Sequence, residues 1–160
     1  FSLDVDGVDY WILKKLPKNF SKICVIEFNS NFGANEEITV PNIKNFNRTK
    51  YHYSNLCYGA SLKAIIKLME KKNFIFLGTN IDRVNAFFIS RKYIKKINLK
   101  IPQKKDLNIF TKSNIRESRD KKKNLNYLSG RDKIKVIGNC KIIDLSKKKI
   151  KPSLLKNLIK

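Results

Sequence analysis

The sequence predicts an α/β domain over residues 1–91 and a basic extension with little regular structure over residues 92–160. Strand and helix patterns alternate twice in the first part, as in parallel α/β sheets. The last two strand patterns are joined by about six residues, which are too few for a parallel crossover. After residue 90 the chain carries 23 Lys and Arg against 5 Asp and Glu, compared with 12 against 8 before it. We therefore expect a mainly parallel sheet with one antiparallel strand at its end, followed by an irregular Lys-rich segment.

The first predicted strand and the first predicted helix are separated only by a short acidic turn that ends on Gly7. Phe1, Leu3 and Val5 alternate with polar residues, and this period of two predicts a strand. The apolar residues of 8–16 recur at helical spacing, and Pro17 ends the helix. A sequence that opens directly on a strand, with no initiator Met, is interpreted as a fragment of a longer protein.

A second strand and a second helix are separated by a long aperiodic connection. The continuous apolar run at 23–26 is typical of a strand buried on both faces. Residues 34–60 show no clear period, and connections of this length in compact domains are often functional. Ser61 is a good N-cap for a helix over 61–72, which has one apolar stripe formed by Leu62, Ile65, Ile66 and Met69.

Two more strands are predicted at 74–77 and 84–90, joined by a turn at 78–83. We expect the first three strands to be parallel and the last to lie antiparallel between its two predecessors. The extension shows only short apolar pieces at 134–137 and 142–145, and a terminal helix is predicted around 153–159.

Composition excludes several classes of protein. No run of about 18 apolar residues exists, so no membrane span is predicted. Cys24, Cys57 and Cys140 are widely spaced and odd in number, which supports neither a disulfide framework nor a zinc ribbon and predicts reduced thiols in the cytoplasm. Lys, Asn and Ile supply 68 of the 160 residues, and all three have codons rich in A and T. The net charge of +22 is therefore interpreted as genomic bias and a solvated basic face, so we do not expect a nucleic-acid partner.

Polar side chains follow the first two predicted strands. Asp4 and Asp6 end the first strand, and Glu27 and Asn29 end the second. Open α/β sheets bind ligands at the carboxyl ends of their strands. The sequence therefore predicts that these side chains converge, with Asp4, Glu27 and Asn29 offering oxygen ligands suited to Mg²⁺. A purely structural alternative is that Asp6 and Asp9 cap the following helix.

Two further residues are candidates for the site. His52, the only histidine, lies in the long connection, and its ordinary pKa near 6.5 suits a general base for an acceptor hydroxyl. Trp11 lies in the first helix, where it either packs on the sheet or lines an acceptor pocket.

The segment Leu3–Asp9 resembles the strand-four signature of FkbM-type S-adenosylmethionine-dependent methyltransferases, Asp-Val-(Asp/Glu)-Gly-x-(Asp/Glu). The similarity continues through an apolar strand ending on Glu27, the helix at 61–72, and Asn85 with the three residues after it. Longer segments resemble an uncharacterised bacterial branch of that family, namely Asp6–Trp11, Glu27–Gly33, Gly59–Lys63 and Arg116–Asp120.

This resemblance implies that residues 1–91 are the C-terminal half of a Rossmann-like class I methyltransferase sheet. The implied reaction is O-methyl transfer to a glycan or metabolite hydroxyl, with Asp4 and His52 catalytic and Asp6, Trp11, Asn29 and Asn85 binding the acceptor. The cofactor S-adenosylmethionine would be held by a glycine-rich turn on an upstream half. No G-x-G motif occurs in these 160 residues, so no cofactor-binding residue is predicted here.

Two alternatives remain from the sequence. The segment Asp4–Val8 also fits the D-x-D-G-(T/V) loop of haloacid-dehalogenase-type phosphatases, with Asp4 as nucleophile and Asp6 as acid/base. Thr79 stands where that family's late motif expects a metal-binding carboxylate, and no room is left for the flap after the first loop. The second alternative is a non-enzymatic protein that binds nucleic acid or an anionic surface through its basic extension.

Overall fold

The computed structural model describes residues 1–96, 98, 101–111, 113–115, 117–147 and 151–159. Arg116, which belongs to one of the segments that carry the resemblance, lies outside these residues. Along the chain the strands and α-helices are β1 (Ser2–Leu3), α1 (Asp9–Lys15), β2 (Ile23–Glu27), β3 (Ile38–Thr39), α2 (Arg48–Tyr51), α3 (Leu62–Lys71), β4 (Phe74–Thr79), β5 (Asn85–Ser90), α4 (Gly130–Ile137), β6 (Lys141–Asp144) and β7 (Pro152–Leu154).

The larger sheet is mixed and has the strand order β1-β2-β5-β4. β1 and β2 are parallel, with Leu3 beside Ile26. β5 runs antiparallel to both of its neighbours, β2 and β4. β1, β2 and β4 therefore point the same way, and β5 is inserted antiparallel between β2 and β4. The α/β class, the strand directions and the insertion of the last strand between its two predecessors agree with the sequence prediction. Only the β1–β2 pairing is parallel, however, so the sheet is mixed and not mainly parallel as expected.

The main apolar core lies between this sheet and the helices. Ser61 caps α3, since its Oγ accepts a hydrogen bond from the Ala64 backbone N–H at 3.3 Å, as predicted. The predicted stripe of α3 is buried, and Phe74 and Phe88 of the sheet belong to the same buried cluster. Each buried apolar side chain of this size contributes about 1.5–3 kcal/mol, so packing rather than helix propensity holds these elements.

A second sheet joins the long connection to the basic extension. Its order is β3-β6-β7, and both pairings are antiparallel. Residues 92–160 thus hold α4, β6 and β7, which differs from the expectation of little regular structure. Ile137 and Ile142 are fully buried in a second cluster with Phe32 and Ile38, and this burial gives the short apolar pieces their structure. The terminal helix expected around 153–159 is also absent: the described residues there form β7 and a 3₁₀ turn at Leu155–Asn157.

β1 lies at the edge of the larger sheet, and Phe1 and Val5 beside it are about half exposed. None of the described helices has the length and apolar character needed to cross a bilayer.

Candidate functional site

A cavity of about 280 Å³ opens at the carboxyl ends of β1 and β2. Several parts of the chain line it. The strand ends contribute Asp4, Asp6 and Glu27, and the long connection and the extension contribute Arg48, Asn55, Tyr58, Glu117 and Lys133. The site therefore includes residues from the extension, which sequence reasoning placed outside the domain.

The carboxyl groups of Asp4, Asp6 and Glu27 converge, and one oxygen from each lies within 4.8 Å of the others. The register of the two parallel strands brings the carboxyl groups of Asp4 and Glu27 together. Leu3 is paired with Ile26, so the residue after each of them falls at the same edge of the sheet. The expected convergence of these three side chains is found, while their chemical roles stay predictions.

Asp9 shapes the loop that carries the first two carboxylates. It is fully buried, and its Oδ1 and Oδ2 accept hydrogen bonds from the backbone N–H groups of Val5 at 3.0 Å and Gly7 at 3.1 Å. Burial raises the pKa of Asp9 above its ordinary value, while these two bonds act in the opposite direction. Asp9 thus fixes the preceding loop instead of capping α1, which has no side-chain cap at its N-terminus.

Glu27 is the most perturbed acid of the cavity. Its side chain is buried, and its Oε2 has no hydrogen-bond partner among the described residues. Burial, followed by the charge of Asp4, raises the pKa of Glu27 to about 9, and Arg48 only partly opposes this. An unpaired oxygen on a buried acid is costly, because it has lost water without gaining a partner.

Arg48 is the main counter-charge of the cluster. Its guanidinium is paired with Asp6, lies 3.6 Å from a carboxylate oxygen of Glu117, and sits 5.1 Å from the ring centre of Tyr58. Burial, and then the charge of Glu27, raise the pKa of Tyr58, so its hydroxyl keeps its proton and can donate a hydrogen bond. Arg48 and Tyr58 lie in the aperiodic connection. The length of that segment indicated a functional role, but no sequence pattern singled out these two residues.

Asn55 is another site residue that sequence reasoning missed. It is 8% exposed and lines the cavity, and its Oδ1 has no partner among the described residues. Its backbone is left-handed, with φ of +60°, a conformation that Asn tolerates better than most residues. The cavity therefore contains two buried oxygens without partners.

Asn29, predicted as a metal ligand and acceptor contact, instead fixes the long connection. Its amide is fully buried, and Nδ2 donates to the carbonyl oxygens of Leu56 at 2.9 Å and Tyr58 at 3.0 Å. Its Oδ1 accepts from the backbone N–H of Asn31 at 3.0 Å. Asn29 does not line the cavity, and its amide positions the segment that carries Asn55 and Tyr58.

His52 and Trp11 also lie outside the lining of this cavity. Nδ1 of His52 is 2.7 Å from Oγ of Ser54, and burial lowers the pKa of the imidazole. The indole N–H of Trp11 donates to the carbonyl oxygen of Val40 at 2.8 Å, and its ring lines a different, shallow cavity beside residues 42–45.

Asn85 lies opposite Glu27 in the β2–β5 pairing, but its side chain is not part of the cavity lining. Its backbone N–H donates to Oδ1 of Asn80 at 3.0 Å, which closes the β4–β5 turn. The neighbouring residue, Val84, lines the cavity instead.

The described residues offer no glycine cradle for S-adenosylmethionine. Gly33 and Gly59 have positive φ, but an added Cβ would meet nothing within 4 Å at either position, so no close backbone approach is built there. Gly7 is required for packing, because its Cβ would lie 2.7 Å from the ring of Phe46. These residues do not fit the methyl donor.

Comparisons of the chain with protein-family models, with curated proteins and with solved structures find no match.

Proposed function

We propose that this chain supplies the acceptor side of an S-adenosylmethionine-dependent O-methyltransferase, as the C-terminal half of a Rossmann-like class I sheet. The observation that carries the proposal is the carboxylate cluster at the ends of two adjacent parallel strands, beside a β5 inserted antiparallel between β2 and β4. Ligands of open α/β sheets bind at such strand ends. The resemblance of Leu3–Asp9 to the FkbM signature supports the same reading.

In this proposal S-adenosylmethionine would be held by another part of the protein and would supply an electrophilic methyl group. The chain's own task is to orient the acceptor hydroxyl and to remove its proton. Asp4 suits that task, because its carboxylate is exposed to the cavity while Asp6 is paired with Arg48. A positioned general base typically contributes about 10²–10⁴-fold to the rate. We assign this role to Asp4 and not to His52, whose ring lies outside the cavity lining.

The acceptor class in this proposal is a glycan or metabolite hydroxyl. Tyr58, Arg48 and Lys133 line the cavity and would hydrogen-bond the hydroxyl groups of such a molecule. The methyl donor is held by residues outside this 160-residue sequence. The three cysteines are buried and unpaired, which supports the predicted location in the reducing cytoplasm.

The phosphatase alternative has less support. It requires a flap after Asp6 and a sheet without an inserted antiparallel strand, whereas α1 begins at Asp9 and β5 is antiparallel to both neighbours. The pair Asp4 and Asp6 still fits its loop, so the experiment must separate the two reactions.

The test measures transfer of a tritiated methyl group to a panel of glycans and hydroxylated metabolites, with enzyme expressed from the complete coding sequence. We expect label in an acceptor and a loss of about 10²-fold or more in kcat/KM for Asp4→Asn. Asp82→Asn, which changes an exposed carboxylate in the β4–β5 turn, is the matched control and should leave the rate unchanged. Absence of transfer, together with Asp4-dependent hydrolysis of p-nitrophenyl phosphate, would refute methyl transfer and favour the phosphatase.

A further inference from the structure

The two buried oxygens without partners belong to residues that line the same cavity. Glu27 is 7% exposed and Asn55 is 8% exposed, and both line the cavity at the ends of β1 and β2. Among the described residues, their Oε2 and Oδ1 are the only buried side-chain oxygens that lack a hydrogen bond. Folded proteins rarely leave such atoms unpaired, and a ligand that accepts electron pairs would satisfy both.

The acidic side chains around them have the spacing of a single-ion site. Oxygens of Asp4, Asp6 and Glu27 lie within 4.8 Å of one another. Oxygens that share one Mg²⁺ or Ca²⁺ at about 2.0–2.6 Å lie no more than roughly 5 Å apart. Asn55 comes from a different segment and is not acidic, so its unpaired oxygen is evidence independent of the acidic cluster.

The charge around the cavity has the matching sign. Four carboxyl groups line it, and the cationic side chains of Arg48 and Lys133 offset only two of them. Lys133 donates to the carbonyl oxygen of Ile115, and Arg48 is directed to Asp6 and Glu117. The lining therefore holds more carboxyl groups than cationic side chains, an excess that a bound cation would offset.

The ligand types identify the class of cation. The cavity offers carboxylate and amide oxygens, and no His or Cys is among the residues that line it. Oxygen-only sites suit hard cations, and the soft metals prefer imidazole or thiolate. We infer that the cavity binds one Mg²⁺ or Mn²⁺, with Asp4, Asp6 and Glu27 as carboxylate ligands and Oδ1 of Asn55 as a neutral one. The sequence predicted Asn29 in this last role, but its amide oxygen already accepts from Asn31.

This inference concerns the same cavity as the proposed methyl transfer, since Asp4 belongs to both, and metal binding can be tested without a methyl donor. A metal that binds while methyl transfer fails would leave the inference intact and remove only the proposed reaction. The net charge of +22 makes a metal-binding measurement more selective, because a strongly positive protein attracts few cations non-specifically.

The experiment is a titration of the 160-residue protein with Mn²⁺, with free Mn²⁺ followed by electron paramagnetic resonance. We expect one saturable site per chain, with a Kd below about 1 mM. Glu27→Gln keeps the shape of the side chain and should weaken binding at least tenfold, because it removes one charged ligand. Asp82→Asn, the matched surface control, should change the Kd less than twofold.

Asn55→Asp separates direct ligation from simple burial. A carboxylate at this position should tighten Mn²⁺ binding, since it replaces a neutral ligand by a charged one and Asp tolerates the same backbone. Asp4→Asn provides a second test at an exposed position, should Glu27→Gln fail to fold as judged by near-UV circular dichroism. The inference is overturned if the folded wild-type protein shows no saturable Mn²⁺ binding up to about 1 mM, or if Asp4→Asn and Glu27→Gln bind as the wild type does.

Discussion

Replacing Asp9 by Asn tests whether one buried carboxylate builds the loop that carries Asp4 and Asp6. Each carboxylate oxygen accepts one backbone N–H, from Val5 and from Gly7. The amide of Asn has a single oxygen, so one N–H loses its acceptor and faces an NH₂ group instead. The side chain is fully buried, and water cannot compensate for the loss.

The expected destabilisation follows from the one backbone N–H that loses its acceptor. A hydrogen bond to a charged group contributes about 1.5–3 kcal/mol, and a buried donor left without an acceptor costs a similar amount. We therefore expect Asp9→Asn to lower the free energy of unfolding by about 2 kcal/mol. For a chain of this length, that loss lowers Tm by roughly 4–8 °C.

The assay is thermal unfolding by circular dichroism, followed by the Mn²⁺ titration at a temperature where the variant is folded. Because the loop relaxes, Mn²⁺ affinity should also fall, although Asp9 lines no part of the cavity. Asp82→Asn again serves as the control. A Tm within about 1 °C of the wild type and an unchanged Kd would refute the role given to Asp9.

Two further predictions concern the second sheet and the thiols. Burial acts to raise the pKa of Asp144, but the hydrogen bonds it accepts from the backbone N–H and the hydroxyl of Ser146 and the nearby Lys147 outweigh it, so the pKa is lowered. This stabilisation is present at neutral pH and is lost as pH falls below about 4. Asp144→Asn should therefore lower the free energy of unfolding by about 1–2 kcal/mol at pH 7 and by progressively less in acid. Urea unfolding at several pH values measures this difference, and a difference independent of pH would contradict the prediction. Cys57 is buried beside Cys140, and their hydrogen bond, followed by burial, raises its pKa. A thiol reagent such as Ellman's should label Cys57 only as the protein unfolds, and complete labelling of the native protein within minutes would contradict the structure.

Much of the larger sheet could be predicted from the sequence because its signals are local. The buried strand at 23–26, the stripe of α3 and its Ser61 cap each depend on residues close together in the chain. The short connection between β4 and β5 was enough to predict an antiparallel strand. The convergence of Asp4 and Glu27 then followed from parallel strand direction alone.

The rest of the site depends on contacts between distant residues, which no local pattern encodes. Arg48, Asn55 and Tyr58 lie in a connection without periodicity. The amide of Asn29 holds the part with Asn55 and Tyr58 by donating to the carbonyl oxygens of Leu56 and Tyr58. Glu117 and Lys133 come from the extension, where frequent lysines interrupt the apolar pattern that would have predicted buried residues. The strands β3 and β6 are short and pair across about 100 residues of chain, a distance at which sequence alone gives no register.

The central claim is that the carboxylates at the ends of β1 and β2 form one ligand-binding centre together with Asn55. Diffraction from crystals soaked in Mn²⁺, recorded at a wavelength where manganese scatters anomalously, tests it most directly. We expect one strong anomalous peak in the cavity, within about 2.0–2.6 Å of oxygens of Asp4, Asp6 and Glu27 and of Oδ1 of Asn55. A cavity without a peak, or a peak bound elsewhere on the chain, would contradict it.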